Sequence, residues 1–294
     1  MKMEELMDNE NLWHIQEHIF GYLNHKTVEI CRKVCKTWKE SLKHIALVIL
    51  LQEFGDRDIE FGEGKVSTYI PGWKKAVQKY GARASIEDLQ EVKDSLGELL
   101  ECANEEGKCC SDPVHEAAKN GAAKLMDIIF ITSYDLNARL DGNTVLHLAC
   151  IYGRTETVEL LIKSSKDLSI DLNYNGYNGS TRTGFYLACF NGNTETVELM
   201  IKLSKDFSID LNARDDIGGT ALHSACQWNT DLETIKLMLK NWKEYSIDIK
   251  ARDNYGQTPL DCVKSMLECY KFDENLKQKK ELLENEYSKM DDAP

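Results

Sequence analysis

The chain has 294 residues and carries 36 Lys and Arg against 49 Asp and Glu, a formal net charge of −13. That balance argues against nucleic acid as a partner, because affinity for nucleic acid rests on cation–phosphate contacts, and it disfavours an anionic membrane surface for the same reason. With 42% apolar and 29% charged residues, and only 4 prolines and 18 glycines, the chain fits an elongated fold with much surface per residue rather than a linker or low-complexity protein.

The start of the chain, Met1 to Asp8, is polar and acidic and lacks the apolar stretch of a signal peptide. The longest apolar run, Ile45 to Leu51, is seven residues, far below the ~20 that span a bilayer. The expected location is therefore cytoplasmic or nuclear, where thiols stay reduced. The ten cysteines then read as small buried hydrophobes or reactive thiols rather than bridges, and with no CxxC pairing anywhere, no metal site is expected.

The first folding pattern covers residues 11–50, after a flexible stretch at 1–10. Ile15, Ile19, Phe20 and Leu23 fall at helical spacing, followed by a second run with Val28, Ile30, Cys31, Val34, Cys35 and Trp38. Helices this short cannot build a self-sufficient core, so the segment is expected to pack on a partner. Its second half places six cations, Lys26, Arg32, Lys33, Lys36, Lys39 and Lys43, against Glu29 and Glu40. In an acidic chain that strip points to an acidic protein. These residues resemble an F-box, whose pattern is matched by Ile15, by Ile19-Phe20-Gly21-Tyr22-Leu23, and by Val28 and Val34-Cys35-Lys36-Thr37-Trp38. The chain departs from it at Asn11-Leu12, in place of Leu-Pro, and at Thr27, in place of Asp. The resemblance implies docking on an acidic Skp-type adaptor, and through it on a cullin, by Ile15, Ile19, Phe20, Leu23, Val34, Cys35 and Trp38 with Lys33 and Lys36.

Residues 51–108 are expected to form a helical spacer. The stretch 70–81 reads as a turn and a short helix, and Ser85 to Asp88 as a capping box. The helix that the box opens carries Ile86, Leu89, Val92, Leu96, Leu99 and Leu100 on one stripe.

From 109 to 290 the sequence repeats itself, leaving a short tail at 291–294. Residues 155–173 and 194–212 are identical at sixteen of nineteen positions, 39 residues apart. A third copy begins near Glu233. Each has a landmark upstream: TVLHLAC at 144–150, TGFYLAC at 183–189, TALHSAC at 220–226 and TPLDCV at 258–263, with a weaker DPVHEAA at 112–118. Each unit reads as two short helices. The first starts at a capping Thr, and the second has an apolar face such as Val158, Leu161 and Ile162. Asn, Asp and Gly between units favour tight turns, and a lone helix pair cannot bury its own face, so the units must stack. The landmarks resemble the ankyrin repeat, over five units. The fold class expected is thus all-α, with F-box helices, a spacer and an α-solenoid with β-hairpin-like turns. The Thr landmarks lie 39, 37 and 38 residues apart, against a family period of about 33. An extra turn of the second helix accounts for the difference. Gly184-Phe185-Tyr186 replaces Pro-Leu-His in the third unit, which also has a longer turn from Tyr174 to Thr181, so this unit is expected to be the least regular.

His147 and His223 recur in register, which points to inter-repeat hydrogen bonds rather than to metal or acid–base chemistry. Cys150, Cys189 and Cys226 lie next to buried alanines and read as core. No GxSxG, HExxH or P-loop pattern occurs, so neither an enzyme nor a cofactor is expected. The ankyrin resemblance implies a ligand held by the residues that end the first helix, Ile151, Tyr152, Phe190, Asn191, Gln227 and Trp228. The hairpin tips add Leu140, Asp141, Asp216, Ile217, Asn254 and Tyr255. Stacking is expected to align Tyr152, Phe190 and Trp228 along one groove. Together the two resemblances imply a substrate-recognition subunit of an SCF-type cullin–RING ubiquitin ligase that is monomeric outside that complex and binds a protein substrate. The same modules fit an ankyrin scaffold or inhibitor without a ligase role. They also fit an effector directed at a host's ubiquitin machinery, since bacterial F-box–ankyrin effectors share this domain order.

Overall fold

A threonine can open a helix by lending its hydroxyl to a free backbone N–H, and Thr144, Thr183 and Thr258 do so here in register. The structure, a computed structural model, describes residues 60–61, 64–65, 72–81, 84–85, 87–89, 91–92, 94–95, 98, 112–176, 181–228 and 232–291. The F-box positions Ile15, Ile19, Phe20, Leu23, Lys33, Val34, Cys35, Lys36 and Trp38 lie outside the described residues. Among the latter, one compact unit holds everything up to Ala117 together with Ala122–Asp135, and a second holds Ala118–Gly121 and Leu136 onward.

In the first unit, a two-residue pairing of β1 (Glu60–Phe61) with β2 (Gly64–Lys65) lies in the stretch expected to be a helical spacer, for which no strand was foreseen. The expected short helix is α1 (Trp73–Gly81), with Trp73, Ala76, Val77 and Tyr80 buried. The capping box forms: Ser85 N–H donates to Asp88 Oδ2 at 3.0 Å, and Asp88 N–H donates to Ser85 Oγ at 3.0 Å. Leu89 and Val92 on its helix are buried.

The repeats are five helix pairs: α2 (Pro113–Asn120) with α3 (Ala123–Ile129), α4 (Val145–Ile151) with α5 (Thr155–Leu168), α6 (Gly184–Phe190) with α7 (Thr194–Phe207), α8 (Ala221–Gln227) with α9 (Leu232–Tyr245), and α10 (Pro259–Cys269) with α11 (Glu274–Asp291). Within the second unit α4, α6, α8 and α10 pack in one row and α5, α7, α9 and α11 in another, an all-α solenoid. Thr144, Thr183, Thr220 and Thr258 cap the first helices of their pairs. In three of the four the residue three positions on returns the bond: Thr144 N–H and Thr220 N–H each donate to Nδ1 of His147 or His223 at 3.1 Å, and Thr258 N–H donates to Asp261 Oδ2 at 3.0 Å. Asp112 serves the same purpose in the first pair, accepting from Val114 N–H at 2.9 Å.

The lengthened period resides in the second helices. Each of α5, α7 and α9 runs 14 residues, twice α3. Ser169, Ser208 and Ser246 follow them with φ of 53°, 55° and 55°, a left-handed conformation that costs a side-chain-bearing residue energy. A ladder of asparagines holds these turns. Asn137 Nδ2–H donates to Ser169 O at 2.8 Å while its Oδ1 accepts from Asp171 N–H at 2.8 Å. Asn173 does the same to Ser208 O and Asp210 N–H at 2.8 and 2.7 Å, and Asn212 to Ser246 O and Asp248 N–H at 2.8 Å each. In the third pair α6 keeps the seven residues of α4 and α8, with Phe185 and Tyr186 buried; residues 177–180 of its longer turn lie outside the described residues.

Candidate functional site

Short first helices with no charge of their own build the candidate surface. The sequences of α4, α6 and α8 contain no acidic residue. Their inner faces carry Leu146, Ala149, Cys150, Cys189, Ala225 and Cys226, all buried, and burial pushes the Cys226 thiol up to about 12 and those of Cys150 and Cys189 up as well. Such thiols stay protonated and donate weakly: Cys150 Sγ to Met200 Sδ and Cys189 Sγ to Met238 Sδ, each at 3.8 Å. They are core, as their spacing implied.

The two recurring histidines have no nitrogen left for other chemistry. Besides its Nδ1 bond, His147 Nε2 lies 3.1 Å from both Tyr174 O and Arg182 O, and His223 Nε2 lies 3.0 Å from Gln257 O. Burial, the largest influence, lowers both imidazole pKa values, so the neutral ring is the folded form. His223, Asp253 and Cys262 bring their ligating atoms within 4.8 Å of one another, a grouping the sequence reading missed. The atoms are already spoken for: Asp253 Oδ1 accepts from Tyr255 N–H and Gln257 N–H, and Gln227 Nε2–H donates to Cys262 Sγ at 3.3 Å. In the preceding interval Tyr186 and Asp215 occupy the matching places, joined by a 2.9 Å bond from Tyr186 Oη to Asp215 Oδ2. The recurrence marks a structural fastening between repeats.

The ends of the first helices reach solvent. Tyr152 is 47% exposed and Trp228 54%, while Phe190, Ile151 and Gln227 are half-buried and Asn191 is exposed. Phe190 and Trp228 meet with ring centroids 5.4 Å apart, and the Lys119 ammonium sits 5.8 Å above the Tyr152 ring. The Arg182 guanidinium lies 5.4 Å from both the Tyr186 and Phe190 rings. Beside Trp228 opens a cleft of about 320 Å³ lined also by Gln227, Gln257, Cys262, Ser265 and Met266. Ser265 and Met266 are the fifth repeat's counterparts of Gln227 and Trp228, legible in the Thr register but passed over because α10 runs on past them.

At the hairpin tips Asp141, Asp216, Ile217, Asn254 and Tyr255 are exposed, Tyr255 at 76%, and Leu140 is half-buried. Neighbouring tips are tied, Asn254 N–H donating to Ile217 O at 2.9 Å. Arg214 Nη1–H donates to Gly218 O at 2.9 Å and to Arg252 O at 2.5 Å, an inter-repeat bond along the hairpins.

The carbonyls that end the first helices are capped from the following repeat. Arg154 Nε–H donates to Lys119 O at 2.8 Å, and Asn193 Nδ2–H to Cys150 O and Ile151 O at 2.7 and 2.9 Å. Gly153, at φ 63°, makes room for that amide, since a Cβ there would stand 2.8 Å from Asn193 Oδ1. For α8 the donor is Lys279 of α11, buried, with Nζ 3.1 Å from Ala225 O, 3.3 Å from Cys226 O and 2.6 Å from Trp228 O. Burial lowers its pKa. The buried stripe Leu276, Lys279, Leu283, at i, i+3, i+7, is the signal that would have revealed it.

No helix among the described residues is long and apolar enough to cross a membrane. Comparison with family models finds ankyrin repeats in three overlapping matches, at residues 90–175, 114–215 and 185–272, and an F-box domain at residues 13–49. No curated protein matches the chain. F-box and ankyrin domains are typically non-catalytic interaction modules, and a chain that joins them is suited to hold one protein against another. With the repeat matches covering well over half of its length, the chain belongs to the ankyrin-repeat family, with an F-box domain ahead of the repeats.

Proposed function

We propose that the chain is the substrate-recognition subunit of an SCF-type cullin–RING ubiquitin ligase, its F-box docking a Skp-type adaptor and its ankyrin groove holding the protein to be modified. The observation that carries this reading is the presence on one chain of an F-box and of a repeat stack that leaves Tyr152 and Trp228 open to solvent. Large aromatics at solvent-facing positions are what a binding hot spot uses. The basic strip of Lys33, Lys36 and Lys39 suits an acidic adaptor, whose approach it would steer. The complex would assemble in the cytoplasm or nucleus.

Co-expression of the full chain with a Skp-type adaptor and a cullin tests the reading. The expected result is a stoichiometric co-purifying complex that Leu23→Ala with Val34→Ala abolishes, since losing a buried anchor costs about 2 kcal/mol or more. The circular dichroism of the repeats should not change. A wild-type chain that binds no Skp-type adaptor leaves an ankyrin scaffold without a ligase role.

A further inference from the structure

We infer that the groove takes an acidic peptide segment, pairing one of its carboxylates with Arg182 and seating an adjacent apolar side chain between Trp228 and Met266. This rests on the proposed use of the groove and names the chemistry of its occupant.

Arg182 sits where recognition needs it. Its guanidinium is held against the faces of Tyr186 and Phe190, and Phe190 in turn touches Trp228, so a cation and an apolar cleft share one continuous surface. Stacking fixes the planar fork and lowers the entropy lost when it binds a carboxylate. Among the described residues no carboxylate pairs with it, and its Nε, buried without a hydrogen-bond partner, leaves the guanidinium's charge uncompensated among them. A half-buried guanidinium in that state gains from an incoming anion. The surroundings agree. The first helices α4, α6 and α8 carry no acid, and Arg139, Arg214 and Arg252 recur on exposed hairpins whose tips offer only Asp141 and Asp216 as exposed carboxylates among the described residues. The net charge of −13 opposes an acidic ligand at long range. At physiological salt, however, charges beyond ~8 Å are largely screened and the local cations decide.

Selection of short displayed peptides on the full chain, with all residue types allowed, tests the assignment. The expected binders carry Asp or Glu next to Leu, Phe or another large apolar residue. They should lose about tenfold in affinity on Arg182→Ala, in keeping with one charge-assisted hydrogen-bonded contact. Arg182→Glu should turn the selection toward Lys- or Arg-bearing peptides, a reversal that a merely unfolded variant cannot produce. Binders that respond to Trp228→Ala but are neutral or basic, or are indifferent to Arg182, would overturn the acidic assignment while leaving the groove in use. Binders indifferent to both Trp228 and Arg182 would overturn the groove reading itself.

Discussion

Removing the Lys279 side chain should loosen the end of the repeat stack that carries Trp228. The ammonium donates to three carbonyls, those of Ala225, Cys226 and Trp228, at the end of α8. Lys279→Ala removes three methylenes worth ~0.8 kcal/mol each when buried. It also orphans carbonyls at about 1 kcal/mol each, fewer where water reaches them beside the exposed Trp228. Against this stands relief from burying a charge, which offsets part of that sum. The balance is on the order of 3 kcal/mol. For a stack of this size it lowers the melting temperature by roughly 6–12 °C. Lys279→Met keeps the stem and deletes only the donor, so it should cost about 1–2 kcal/mol. Because repeats gain stability mainly from their neighbours, hydrogen exchange should rise first in α10 and α11. A Met variant as stable as the wild type, or more so, would mean that desolvation outweighs the three bonds, and would refute the argument.

Three further outcomes follow from the same geometry. Tyr152→Ala with Trp228→Ala should leave the melting temperature within a few degrees, because both rings are already half in solvent; a loss of roughly 3–5 kcal/mol would place them in the core instead. Asn173→Ala removes the two bonds that hold Ser208 and Asp210 and should cost about 1–2 kcal/mol by thermal denaturation, with Asn212→Ala adding to it rather than substituting for it. The folded pKa values of His147 and His223 lie below 6.5, so the unfolded chain binds the more protons in that range. Stability is therefore complete above about 6.5 and falls as acid drives pH down toward the folded values; His147→Gln with His223→Gln should flatten that slope, and an unchanged slope would count against the neutral rings.

Much of this is legible in the sequence. The register of Thr144, Thr183, Thr220 and Thr258 foretold every first helix of the second unit, because capping is local: the hydroxyl, its N–H partner and the returning side chain lie within four residues. The histidines and cysteines could be read because recurrence in a stack implies the same neighbour each time. What the pattern hid were the contacts between repeats. Asn137, Asn173 and Asn212 recur as regularly as the threonines, yet a turn asparagine is ordinarily explained by its own backbone, and nothing in spacing says that its amide reaches 32 to 35 positions ahead. Arg182 was passed over for the opposite reason, since it has no counterpart in the neighbouring units.

The placement of Lys279 has a cause in the register. Arg154 and Asn193 both stand ten residues after the landmark of their unit, just outside the first helix, where the chain turns back past the preceding repeat. In the fifth unit that position is Glu268, and α10 runs 11 residues, so it falls inside the helix rather than in a turn. An acid within a helix cannot donate to the carbonyls of α8. The cap has to come from the next element, α11, where the long stem of Lys279 carries a donor to those carbonyls. The same lengthening of α10 keeps Ser265 and Met266 on a helix face opposite Trp228, and that face is one wall of the cleft. One extra helical turn thus accounts both for the buried amine and for the pocket at this end of the groove.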